Sequence, residues 1–247
     1  MTFGAGDGAA RAGTMARRDL LRIAGATGLG LALARARAIP AIAEAATQSE
    51  SVGTILNIAA TAEAMAVTLL GAAIQGAAGY RNPDGTQGLA PGVVGILKAA
   101  QAAEQAHYAF LTQAGAKALT LRFNIPNAGI ATDTTTLFQT IETLETAFVA
   151  AYMSAAREFA AMRKPDLVKI AVQISGVEAE HRALARLALG DALPHNLVFE
   201  RRMFTRVGEA ASALEKLGFI GGHENVVSYL DFAGTVDNSG MSELAPR

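Results

Sequence analysis

Ala103–Tyr108 reads AEQAHY and Val177–Arg182 reads VEAEHR. Each fragment sets a histidine three residues after a glutamate, in a chain that has only four histidines. At that spacing both side chains leave the same face of a helix, so the fragments bear on fold and chemistry together. Glu104 and His107 fall on an apolar stripe with Leu97, Ala100 and Leu111, and Glu178 and His181 fall on one with Ala171, Ile174 and Ala185. A carboxylate facing a core is costly unless it is paired, hydrogen-bonded or bound to a cation. Two such carboxylates, each beside an imidazole, point to a shared metal.

Helical periodicity extends on both sides of these fragments. Ser51–Gln75 repeats Ile55/Leu56, Ala59, Glu63, Val67 and Leu70 at three- and four-residue steps, which predicts one buried face on a rod of roughly 37 Å. Asn82-Pro83-Asp84-Gly85 is a turn signal, and Pro91 suits the first turn of a second helix running to about Gly115. Ala116–Thr132 contains LTLRFNIPNAG, which is not helical in pattern. Its extended reach of ~55 Å is enough to traverse a bundle. Asp133 or Thr134 caps a third helix that stops near Met162, and only RKP separates it from a fourth, Asp166–Leu189, closed by Gly190. These connections predict an all-α four-helix bundle, running up, down, down, up, with one long crossover between helices 2 and 3. Glu209–Phe219 predicts a short further helix, FIGGHENVVSYLDFAG a loosely ordered coda, and Asp237–Arg247 a frayed tail.

The other two helices supply what a metal pair still lacks. Glu63 is the single acidic residue of the first helix, mid-stripe. The third offers Glu142 and Glu145, and Glu145 is preferred because its apolar flanks and Tyr152, two turns on, align better. One glutamate from each of two helices and Glu-x-x-His from the other two is the ligand pattern of dinuclear carboxylate bundles. The metal ligands expected are therefore Glu63, Glu104, His107, Glu145, Glu178 and His181, with Glu104 and Glu178 bridging. Glu104, Glu178 and Tyr152 are the candidates for catalysis. Two iron ions are the expected cofactors, with manganese or zinc also compatible with oxygen and imidazole donors. His195 and His223 follow helix breaks and are expected at the surface, Gly176 is expected to let helices approach closely, and Arg201-Arg202 reads as a solvated patch.

Composition narrows the field. Of 247 residues 51% are hydrophobic and 17% charged, and cysteine is absent, which excludes disulfides and thiolate metal sites. Near the N-terminus, ARRDLLR (16–22) precedes the apolar stretch IAGATGLGLALA (23–34) and an A-x-A site at Ala41-Ile42-Ala43. That order reads as a twin-arginine-type signal peptide over residues 1–43, exported to the periplasm or beyond by the twin-arginine machinery. The bundle would then occupy residues 44–190 and a C-terminal extension residues 191–247. Removing residues 1–43 takes away six arginines and two aspartates, so the basic count falls from 21 to 15 and the acidic from 22 to 20, about −5 net. An acidic mature chain without a basic stripe is not expected to bind nucleic acid. No segment after residue 43 is expected to anchor it in a membrane.

Residues Ser51–Gly190 resemble the bacterial ferritin-like domain proteins, often exported and sometimes grouped with desiccation-related proteins. The resemblance rests on NIAATAEA (57–64), AAEQAH (102–107), LETAFVAAYMSAA (144–156) and VEAEHRAL (177–184). Met65, Ala66 and Leu70 stand where that family carries further acidic and aromatic residues. The resemblance implies iron chemistry with O₂ or peroxide as partner, of a ferroxidase or peroxide-detoxifying kind, and a homo-oligomer is compatible with it. The rival expectation is a non-catalytic stress- or desiccation-related protein that keeps the bundle for structure.

Overall fold

The structure is a computed structural model that describes residues 50–246. The signal peptide expected over residues 1–43 lies outside the described residues. Four long helices form the frame: α1 (Val52–Gln75), α2 (Pro91–Gln113), α3 (Thr134–Ala161) and α4 (Pro165–Ala188). Their boundaries follow local chemistry. The Ser51 hydroxyl accepts from Thr54 N (3.1 Å) and Asp133 Oδ1 from Thr136 N (2.8 Å), so each satisfies a free first-turn amide. Proline opens α2 and α4, where no amide is needed. A short helix, α5 (Val207–Lys216), begins two residues earlier than expected. Its free amides at Val207 and Gly208 are taken by the Glu50 carboxylate at 3.0 and 2.6 Å, a cap that lies far away in sequence.

The helix directions follow from bonds between their ends. Arg81, just after α1, pairs with the backbone on either side of Asp133 at the start of α3, through Thr132 O and Thr134 N. Leu89, just before α2, donates to Ala77 O at the same end. At the other end Lys117 N donates to Asn57 Oδ1 (2.7 Å) and Leu119 N to Thr61 Oγ1 (2.9 Å), placing the exit of α2 beside the start of α1. The order is therefore up, down, down, up, with residues 114–133 as the crossover. The helices associate as two close pairs, α1 with α2 and α3 with α4, and touch more sparsely across α2–α4 and α1–α3.

Three expectations change. First, α1 is buried all round its middle, not on one face, because the crossover, α5 and the C-terminal coda cover its outer side. By length and composition it is apolar enough to cross a membrane, and 83% of its most apolar window is buried inside the fold. Second, the coda is ordered. Val226–Ser228 (β2) pairs antiparallel with Arg122–Asn124 (β1) of the crossover, and the following turn seats Phe232 against α1. Third, the close approach occurs at Gly71, not Gly176. A Cβ on Gly71 would lie 2.5 Å from Phe232 Cγ and 2.7 Å from Gln101 Nε2, whereas one on Gly176 would meet nothing within 4 Å. The final residues, Met241–Pro246, border the cleft between α2 and α4.

Candidate metal centre

Each long helix sends one glutamate into the middle of the bundle. Glu63 (α1), Glu104 (α2) and Glu178 (α4) are completely buried, and Glu145 (α3) is 4% exposed. His107 and His181 lie one turn beyond their glutamates, with side chains 14% and 8% exposed. His107 Nδ1 stands 3.4 Å from Glu63 Oε2, 3.6 Å from Glu104 Oε2 and 3.4 Å from Glu178 Oε1. His181 Nδ1 stands 3.0 Å from Glu104 Oε1, 3.2 Å from Glu178 Oε2 and 3.8 Å from Glu145 Oε1. Each imidazole thus faces one glutamate of its own and the two that both share. The six residues form two four-residue clusters, Glu63/Glu104/His107/Glu178 and Glu104/Glu145/Glu178/His181, whose ligand atoms lie within 4.8 Å of one another.

This donor set fits cations. Glu63 Oε2, both oxygens of Glu104, Glu145 Oε2, Glu178 Oε1 and His107 Nδ1 are buried without an aligned hydrogen-bond partner. His181 Nδ1 is close to Glu104 Oε1 but lacks hydrogen-bond geometry, so proximity alone leaves the oxygen unsatisfied. So many orphaned acceptors at one point would be heavily penalised in a dry core, and a metal satisfies them together. Hard oxygen and imidazole donors, with no sulfur, suit a transition metal such as iron, manganese or zinc.

Protonation follows the same geometry. Burial, then the charge of Glu104, pushes the Glu63 carboxyl up to about 8. Burial, then the charges of Glu178 and Glu104, holds Glu145 well above the usual carboxylate range. For Glu104 burial and the charge of Glu178 act upward, but the close approach of Glu63 and both histidines outweighs them and lowers it. Glu178 is lowered likewise, against burial and the charge of Glu63, by the two histidines. Both imidazoles are raised well above their ordinary value: burial opposes this, and the surrounding carboxylates outweigh it. Without metal, then, Glu63, Glu145 and both imidazoles hold their protons more tightly than free side chains do, while Glu104 and Glu178 hold theirs less tightly.

The structure brings all six expected ligands together and separates the alternatives. Glu142 points to the outer side of α3, 3.5 Å from Arg186 Nε, which also holds Asp191 at 2.9 Å. His195 and His223 are exposed and belong to neither cluster, and Arg201-Arg202 is exposed as expected. Tyr152 is buried, and its hydroxyl donates to Glu63 Oε1. Burial, then the charge of Glu63, raises the phenol well above its ordinary value, so it remains a neutral donor. Sequence reasoning passed over Arg182, beside His181. Its buried guanidinium makes a two-pronged pair with Glu200 and ties the chain after α4 back onto the helix. An arginine within VEAEHR on the buried side of α4 was the available signal.

A four-helix frame with a crossover after α2 and a buried carboxylate–imidazole cluster at its middle defines the ferritin-like class. The ferritin-like domain profile matches residues 51–191, more than half of the chain, and the protein belongs to that family. No curated protein and no solved structure matches the chain.

Proposed function

We propose that the cluster binds two transition-metal ions, iron in the first place, and that the protein oxidises Fe(II) with dioxygen or peroxide. The observation that carries this reading is the sharing of Glu104 and Glu178 between two four-residue clusters whose buried oxygens lack other partners. A bound iron pair would supply two electrons to a peroxide, consuming two protons and releasing two waters. The chain's own residues hold the site. Glu63 with His107 would hold one ion and Glu145 with His181 the other, and Glu104 and Glu178, common to both clusters, would serve both. Tyr152 acts as a positioning residue: by donating to Glu63 Oε1 it directs Oε2 toward the cluster. The packed helices that carry these carboxylates and imidazoles hold them together before any cation arrives.

Metal analysis of protein purified from its own host, followed by anaerobic Fe(II) loading and mixing with peroxide, tests this. The expected result is about two metal equivalents per chain and rapid Fe(III) absorbance, both lost in Glu104→Ala. Less than one equivalent in the wild type ends the metal reading. Two equivalents with no Fe(III) formation favours the structural, non-catalytic rival. We further propose that residues 1–43 direct twin-arginine export, since their order of arginines, apolar stretch and A-x-A site fits that route. Replacing Arg17-Arg18 by lysines should retain the protein in the cytoplasm on cell fractionation.

A further inference from the structure

We infer that the cleft between α2 and α4 is a binding site for a neutral organic molecule with an apolar body and a hydroxyl or phenol head, seated against the two histidines of the centre. The cleft has a volume of about 510 Å³, within the range of small-molecule pockets. Its α2 wall includes a run of small apolar residues. Ala99, Ala103 and Ala106 line it on α2 and Val177 and Leu184 on α4, and the two helices touch only sparsely there. Alanines at a sparse seam leave a hollow where larger residues would fill it. The C-terminal Met241–Pro246 closes one side.

The floor of the cleft gives it chemistry. His107 and His181 both border it, and both turn Nδ1 toward the carboxylates. Their remaining ring edges make no hydrogen bond among the described residues. A histidine that ligates metal through one nitrogen ordinarily donates its other N–H to an oxygen acceptor. Among the described residues neither histidine has such an acceptor, and both border one hollow. An oxygen at the head of a bound molecule would serve them, while its apolar body would lie on the alanine wall. Glu180 also lines the cleft and is exposed, so its charge disfavours an anionic head over a neutral one. The inference rests on the redox reading for the use of such a molecule, but its binding does not require turnover.

The test is a titration of the full chain, metal-free and zinc-loaded, with 1-naphthol, read by side-chain NMR of ¹⁵N-labelled histidine. Four histidines make the spectrum assignable by single substitutions. The expected result is a saturable shift of His107 and His181 with His195 and His223 unmoved. Ala99→Trp, at an exposed position on the cleft wall, should weaken binding by about tenfold or more, and so should exchange of the probe for 1-naphthoate. Ala103→Leu repeats the blockade from a second position if Ala99→Trp disturbs folding, which its melting curve reports. The inference is overturned if all four histidines shift together, or if both blocking variants bind as the wild type does. It is equally overturned if no saturable shift appears to about 1 mM in the full chain and in one ending at Gly240. Saturable 1-naphthol binding without Fe(II) oxidation would remove the redox reading and leave the cleft assignment standing.

Discussion

Glu63 sits where four demands meet. It faces His107, shares its space with Glu104, accepts from Tyr152 and has no access to water. Tyr152→Phe removes the donor and leaves Glu63 Oε1 buried without its partner, a loss of about 1–3 kcal/mol in the metal-free chain, measurable by denaturant unfolding. Metal stoichiometry should survive that change, while Fe(II) oxidation slows. Glu145→Gln should abolish the second metal equivalent, whereas Glu142→Gln, on the Arg186 side of the helix, should leave two; metal analysis of the pair separates them. The choice between these glutamates was only partly legible in sequence. Flanking apolar residues favour Glu145, but the arginine that claims Glu142 lies on another helix, forty-four residues on. Glu-x-x-His needed no such partner, since its spacing fixes a common face on any helix.

At the scale of elements, what was legible was local. Ser51, Pro91, Asp133 and Pro165 mark helix starts because caps and first turns depend on neighbours within a few residues. The start of α5 was misjudged because its cap is Glu50, 157 positions away. Glu50→Ala should lower stability by about 1 kcal/mol, read as a shift in thermal midpoint, with the metal cluster unaffected. Gly71 was equally hidden, since nothing in VTLLGAAIQ announces Phe232. An alanine there gains helix propensity but drives its methyl into the Phe232 ring. Gly71→Ala should therefore destabilise by about 1–3 kcal/mol. Pairing it with Phe232→Ala should remove that penalty in a double-mutant cycle.

The whole molecule responds to pH through the cluster, and the direction can be worked out. Glu63, pushed up to about 8, and Glu145 bind protons more tightly folded than unfolded, so their contribution falls as pH rises above the ordinary glutamate value of 4.5. His107 and His181 are raised too, and their contribution is lost as pH rises from 6.5 through their folded values. Glu104 and Glu178 are lowered, so theirs is lost as pH falls below 4.5. The metal-free chain should therefore be most stable near pH 5 and weaken steadily toward pH 8 in thermal melts. The two divalent cations proposed for the cluster would compete with the protons held by His107, His181, Glu63 and Glu145. Loading near pH 7 should release about four protons, countable in weakly buffered solution, and should flatten the stability profile.

The strand pairing of Arg122–Asn124 with Val226–Ser228 also bears on biosynthesis. A nascent chain can assemble its helices in order of emergence, yet the Arg122–Asn124 strand of the crossover has no strand to pair with until the ribosome has translated past residue 228. Asn124 adds to this delay, because its side chain is held by Gly218 O and Asn225 N. A strand at Val226–Ser228 therefore latches one made about a hundred residues earlier, and closure of the crossover waits for it. Ribosome-stalled chains ending at Gly190 should be cut by protease within 114–133, and released full-length chains should resist.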